Sequence, residues 1–341
     1  MGFQIAPSNR AGRKEMNQRD LGDSLRCLSC NLKTLCGGWY EHGDDRFCDE
    51  ECDTCRAVCC RHPKRNELMA ETGGPSFDHV KWRPFDLQWP TIMYQLNSQA
   101  WGKPLPGYIV SVKHLYYLAF NTWSREKDLK ARYKVPKESL LGISFCTHDK
   151  YLDALCRLGY DVFADRIAEY DCDFVLCPNF SVYENYPRWD HLLNMSRKFK
   201  MMDLLQSRGL KVVPDVGWIR KVDRKRQADW MRENKVTVAL RNFQTISKTT
   251  RQRQWEDDVK SLLDFRDEVG HDVHYILLGV SGGNRMQLIA RQVPKITVID
   301  TKSYRYAEFH RQVWDRDWDK SLTPKEMFEQ NAEYQFMVME T

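Results

Sequence analysis

Eight of the twelve cysteines crowd into two short stretches. CLSCNLKTLCGG carries Cys27, Cys30 and Cys36, and CDEECDTCRAVCC carries Cys48, Cys52, Cys55, Cys59 and Cys60. Thiolates only a few residues apart let a tight loop turn several sulfurs towards one point, which is the chemistry of a metal site. Spacing alone admits an iron–sulfur cluster of the 4Fe–4S type there. Zinc is the alternative, because it accepts four thiolates, or three and an imidazole, and His42 and His62 stand nearby. The C-x3-C-x2-C spacing of Cys48, Cys52 and Cys55 does not make a radical-generating centre, since such a motif belongs after a first barrel strand and this one lies upstream of any strand.

A second set of chemical groups recurs in the larger remainder of the chain. Polar residues fall directly after nearly every apolar run: Asp149 in FCTHDKY, Asn179 in LCPNF, Asp215 and Trp218 in VVPDVGW, Asn242 in ALRNF, SGGN at 281–284 and Asp300 in TVIDTK. Carboxylates at neighbouring strand ends can divide work between a nucleophile and a proton carrier. A carboxylate after a strand can equally cap a helix.

The runs that place these groups alternate with helical segments. LLGISFC (140–146), DFVLCP (173–178), LKVVPDV (210–216), KVTVALR (235–241), VHYILLGV (273–280) and KITVID (295–300) read as strands. DKYLDALCRLG, YPRWDHLLNMSRKFKMMDLLQSRG and QWEDDVKSLLDFRDEVG read as helices between them, the last two ending at glycine. Strand, helix, strand repeated this way predicts an α/β fold with a parallel sheet. A (β/α) barrel of TIM type, irregular if need be, gathers all the strand ends at one mouth, and is expected here with its first strands drawn from 84–123. An open doubly wound sheet fits the same pattern. The expected organisation is a Cys-rich metal-binding module over 1–70, a linker with the first barrel elements over 71–135, and the rest of the barrel over 136–341 with a charged, peripheral tail after Asp315.

At 341 residues, 42% of them hydrophobic, the chain has enough material for one large unit and a small module. Its start is polar and basic, and no apolar run reaches membrane-spanning length. A soluble, cytoplasmic protein follows, in the host cytoplasm if phage-encoded. The net charge is +5, but residues 191–255 hold sixteen Lys or Arg against five Asp or Glu. Such a block is the footprint expected of a protein that meets a polyanion, nucleic acid above all.

Two resemblances sharpen this reading. VLCPNFSVYENYPRWDHLLNMSRKFKMMDLLQSRGLKVVPDVGW, within residues 140–250, resembles the phage and bacterial domain-of-unknown-function family numbered 4417, which implies no reaction. VHYILLGVSGGNRMQLIARQVPKITVIDTKSYRYA is similar to the closing part of tRNA-guanine transglycosylase-like barrels, including those that insert 7-deazaguanine into DNA. That similarity puts Asp300 at the position of the nucleophilic aspartate. The Asp-Ser-Gly-Gly-Phe motif supplying the second aspartate is absent, and Asp149 stands in for it, with Asp215 as the substitute. It implies base exchange on nucleic acid, DNA ahead of RNA, with a free modified base as co-substrate. Phe180, Tyr183, Trp218 and Phe243 would then line a slot for the extruded base. Asn179 and Asn242 would stand at its rim, and Arg241, Lys302, Gly282, Gly283 and Asn284 would meet flanking phosphates. The CGG element of the first cysteine group resembles auxiliary iron–sulfur domains of radical enzymes, and Cys52, Cys55 and Cys59 follow the end of a ferredoxin motif. The alternative is a metal-stapled DNA-binding protein of phage or mobile-element replication, without catalysis.

Overall fold

The computed structural model describes residues 64–100, 104–182, 188–244, 252–281, 284–315 and 319–340. All eight clustered cysteines lie outside them, as do Tyr183, Gly282 and Gly283.

Eight parallel strands form the body: β1 (Ile92–Leu96), β2 (Gly107–Ser111), β5 (Leu140–Ser144), β6 (Phe174–Leu176), β7 (Val212–Val213), β8 (Val238–Asn242), β9 (His274–Leu278) and β10 (Ile296–Asp300). Each pairs with the next in this order, and β10 pairs back onto β1. β7 and β8 meet just beyond the short β7. Val216 N donates to Leu240 O at 2.9 Å and Leu240 N to Pro214 O at 2.8 Å. Those two bonds complete the ring, so the architecture is a TIM-like barrel.

A short hairpin, β3 (Tyr116–Tyr117) with β4 (Thr122–Trp123), and helix α2 (Leu129–Tyr133) join β2 to β5. Between β5 and β6 run α3 (Asp149–Arg157) and α4 (Tyr160–Ala168), and α5 (Arg188–Ser207) leads to β7. α6 (Lys221–Glu233), α7 (Gln252–Val269) and α8 (Asn284–Ala290) make the next three crossovers. α9 (Ser303–Ala307) and α10 (Pro324–Glu340) follow β10, and α1 (Lys64–Glu71) precedes the barrel.

The segment expected to be peripheral after Asp315 is instead part of the core. α10 buries Met327, Phe328 and Ala332, and Phe328 meets Tyr94 of β1 edge-on with ring centroids 5.7 Å apart. Its apolar positions recur at helical spacing among charged residues, which masked them in a composition reading. The Pro- and Trp-rich stretch before β1 also packs down. Phe77 stacks on Phe199 of α5 at 3.8 Å, and the Trp82 indole donates to Val212 O at 3.1 Å.

Register fixes which side chains face the lumen, because paired residues in a sheet share a face. Phe174 on β6 and His274 on β9 are three strands apart, yet both touch the Trp89 ring, with centroids 4.9 Å and 6.0 Å away. Only inside a ring of strands can one indole reach both. Following the pairs round from Phe174 puts Gly142, Ile109, Gln95, Ile299, Ile276 and Leu240 inward too. Trp89 thus plugs the floor. There His274 Nε2 donates to Thr297 Oγ1 at 2.9 Å. No helix among the described residues is long and apolar enough to cross a membrane.

Candidate active site at the barrel mouth

The inward face changes character at the C-terminal strand ends. Below, it is apolar apart from His274 and Thr297 at the floor. At the top it carries Gln95, Ser111, Ser144, Asp215 and Asn242, placed there by the same register, with Cys146 one pleat beyond Ser144. Gln95, Cys146 and Asn242 are half-buried, and Ser111, Ser144 and Asp215 buried. A barrel that needed only stability would fill this layer with branched aliphatics.

Asp215 is the charge of this layer. The bridge to Leu240 turns it inward, and Lys198 reaches it from α5, with Nζ and Oδ2 2.5 Å apart. Helix α5 is held there by its own backbone: Cys177 Sγ, just past β6, donates to Lys198 O at 3.2 Å. Two thiols flank the pair. Burial pushes the Cys146 thiol up to about 12, the Asp215 carboxylate adds to the rise, and hydrogen bonds with Ser144 and Asn179 pull it partly back. Cys177 is raised by the same causes, burial first and then Asp215. Both therefore stay protonated, as donors rather than nucleophiles.

Arg241 lies on the shoulder of the site. Its guanidinium sits 4.2 Å above the Trp218 ring and 5.6 Å from that of Phe243, and donates through Nη1 to Val216 O at 3.3 Å. Burial lowers its basicity, while the carboxylates of Asp258 on α7 and of Asp215 act the other way. Trp218 is anchored in turn, its indole donating to Ser261 Oγ at 2.9 Å. Asp215, Arg241, Trp218, Phe243 and Asn179, all expected from the sequence, thus belong to one neighbourhood.

The three aspartates do not. Asp300 is paired in register with Tyr94, whose ring faces α10, so its side chain points outward from the barrel. There its carboxylate accepts from Lys302 N at 2.8 Å and Ser303 N at 3.2 Å at the start of α9, and burial raises its pKa. Asp149 opens α3 and accepts from Ser181 Oγ at 2.8 Å. It lines a cleft of about 1240 Å³ between the helices, together with Phe180, Tyr160 and Arg197. Strand pleating turns Asp300 away from Asp215, which the sequence spacing of loops does not reveal, while Asp149 is carried off by opening α3 beyond the strand end.

The remaining expected residues have ordinary neighbours. Asn242 Oδ1 accepts from Gln244 N at 2.8 Å in a local turn, Lys302 Nζ donates to Ser281 O, and Phe243 packs on Trp255 with centroids 5.2 Å apart. Asn284 begins α8. Seven of the sixteen Lys or Arg in the basic block over 191–255 are paired within the fold. Arg197, Lys198, Arg208, Arg224, Lys225, Arg226 and Arg232 all lie against carboxylates. Most of those partners lie outside 191–255, which is why a local charge count overstated the exposed field.

Lys198, Ser144, Cys146 and Cys177 were not singled out from the sequence. Reading LLGISFC at period two puts Gly142, Ser144 and Cys146 on one face, a signal that was available. Lys198 had none, since nothing in SRKFK separates the one lysine that turns inward.

Comparisons with known proteins identify no family. No family model matches the chain, and no curated protein matches it. Solved structures that align with it include a protein assigned as a fructose-1,6-biphosphate aldolase from Coccidioides immitis, at 12% identity over 82% of this chain and 93% of that one, with a TM-score of 0.38. A D-allulose 3-epimerase from Methylomonas sp. aligns at 11% identity over 74% of this chain and 100% of that one, also with a TM-score of 0.38. A protein assigned as the copper homeostasis protein CutC from Streptococcus agalactiae aligns at 14% identity over 48% and 74%, with a TM-score of 0.32. The likeness is too slight to carry an activity to this chain, whose architecture stands on its own strand pairing.

Proposed function

We propose that this chain is a glycosyl-transfer enzyme that exchanges a base in nucleic acid, DNA ahead of RNA, with Asp215 as its reacting carboxylate. One observation carries the reading: Asp215 faces inward at the C-terminal mouth, in a layer of buried and half-buried polar residues, with an ammonium 2.5 Å away. The resemblance of residues 273–307 to base-exchanging barrels supports the reaction class. The assignment of the carboxylate moves from Asp300 to Asp215 because only the latter faces the lumen.

In this scheme an Asp215 oxygen attacks the anomeric carbon while the bond from that carbon to the base nitrogen breaks. The Lys198 ammonium gives a proton to the departing base, leaving a glycosyl ester and a neutral amine. An incoming 7-deazaguanine-type base then displaces the carboxylate and returns its proton to Lys198. Trp218, buried between the Arg241 guanidinium and the stacked Phe265 ring, would shape the wall of the slot for the extruded base rather than offer it a free face. Cys27, Cys30, Cys36, Cys48, Cys52, Cys55, Cys59 and Cys60 would hold a 4Fe–4S cluster or zinc in a module that shapes the nucleic-acid surface.

Incubating the protein with DNA or tRNA and labelled guanine or 7-deazaguanine tests the proposal. Label should enter the polymer with the parent protein and not with Asp215→Asn. Equal incorporation by both would remove Asp215 from the chemistry. The second reading, a grip without turnover, is favoured by the closed state of the Asp215 ion pair, of which only 1% and 4% of the side chains are exposed. It requires specific strand binding by a protein that never exchanges label.

A further inference from the structure

The loop after β7 passes between two buried cations without putting a side chain there. At Gly217 the position a Cβ would take lies 3.2 Å from Lys198 Nζ and 3.6 Å from Arg241 Nη1. Gly217 does not need to be glycine for its backbone, since its φ is not positive. The residue is pinned instead by Gln227 of α6, whose Oε1 accepts from Gly217 N at 3.1 Å and whose Nε2 donates to Gly217 O at 2.9 Å. A glycine held in ordinary conformation by a clamp lets the two cations close on bare backbone, where even a methyl group would press on Lys198 Nζ.

The cations around it have donors to spare. Arg241 is 7% exposed, and its Nε is buried with no hydrogen-bond partner, a costly state for a charged group. Lys198 has one carboxylate oxygen against it and two more protons to give. Among the described residues, Asp215 is the carboxylate paired with Lys198, and Asp258 influences Arg241 from α7. What the cradle lacks is an acceptor that both cations can reach together.

We propose that the Gly217 cradle, between Lys198 and Arg241, binds a phosphate group of the substrate. A phosphate offers several oxygens in tetrahedral array, so one can face the ammonium while another meets the guanidinium edge. This deepens the glycosyl-transfer reading, on which it rests for its substrate, by stating what holds the nucleotide beside Asp215. It also gives Gly217 a reason that turn geometry does not.

The test is calorimetric titration of the full chain with inorganic phosphate, deoxyguanosine monophosphate, deoxyguanosine and a short single-stranded oligonucleotide. The parent should bind phosphate, and should bind the monophosphate at least tenfold more tightly than the nucleoside. Gly217→Ala, which puts a methyl group into the cradle against a flexible lysine tip, should weaken monophosphate binding tenfold or more with an unchanged circular dichroism spectrum. Arg241→Lys should do the same if the alanine variant is unstable. Loss of oligonucleotide affinity in parallel identifies a strand phosphate, and loss confined to the monophosphate identifies a free nucleotide; both uphold the site. Equal affinity for nucleotide and nucleoside, or full affinity in both variants, would overturn it. No turnover enters these titrations. A protein that shows the tenfold losses but exchanges no base keeps the phosphate site and loses the enzyme reading, whereas exchange undiminished in Gly217→Ala removes the site alone.

Discussion

Lys198 of α5 and Asp215 beyond β7 meet with Nζ and Oδ2 2.5 Å apart, and neither side chain is more than 4% exposed. A helix and a strand end that are separate in the chain are thus joined by a charge pair inside the barrel wall. Taking both ions out of water is costly, and hydrophobic residues of similar volume often serve stability as well or better. The pair is better understood as serving the mouth it borders.

Removing one partner should therefore hurt more than removing both. Lys198→Met leaves a buried carboxylate uncompensated and is expected to cost about 3–5 kcal/mol in urea unfolding. The double variant Lys198→Met with Asp215→Leu should recover most of that loss. Additive losses in the double variant would show that the two residues act separately.

The lumen below the mouth is packed around a missing side chain. A Cβ on Gly142 would lie 2.6 Å from Phe174 Cε2 and 2.9 Å from Ile109 Cδ1. Gly142→Ala should lower stability by about 1–3 kcal/mol through overpacking. The companion change Phe174→Leu in the same chain should restore part of it, as read from thermal midpoints.

Acid should loosen the barrel floor. Burial holds His274, and likewise His114 beyond β2, down at about 4, against an ordinary 6.5. Because the folded values are depressed, the unfolded chain takes up protons first as pH falls. The stability these residues contribute is whole above 6.5 and is lost progressively from 6.5 down to about 4. His274→Gln, which keeps a donor for Thr297, should flatten that part of the pH–stability curve without abolishing it, since His114 still titrates. An unchanged slope would show that His274 is already free to charge in the fold.

How far the sequence revealed this molecule depends on what a one-dimensional pattern can carry. Alternating apolar runs and amphipathic helices made the barrel legible from LLGISFC to KITVID, because each strand and crossover is a local pattern. LKVVPDV was legible as a strand, though only Val212–Val213 form β7 and Asp215 joins β8 by a single bridge. α10 was missed, its apolar stripe diluted by charge. The site was half legible. Asp215, Trp218 and Arg241 stood out as polar or aromatic residues at strand ends, but whether Asp300 looks inward or outward depends on register around the whole ring. Lys198 looked like any solvated lysine until α5 was packed against Cys177.

The thiol-rich segment offers its own check. Anaerobically purified protein should be brown, with absorption in the iron–sulfide charge-transfer region, and Cys55→Ser should bleach it. A colourless protein carrying stoichiometric zinc would replace the cluster with the alternative metal.

A covalent role for Asp215 at the barrel mouth would leave a glycosyl ester on the protein, which can be mapped. The protein is quenched in acid during turnover on a DNA oligonucleotide, digested, and its peptides weighed by mass spectrometry. A sugar-linked adduct is expected on the peptide containing Asp215, absent from Asp215→Asn. An adduct on Asp300 or Asp149, or base exchange that proceeds with no adduct at Asp215, would contradict it.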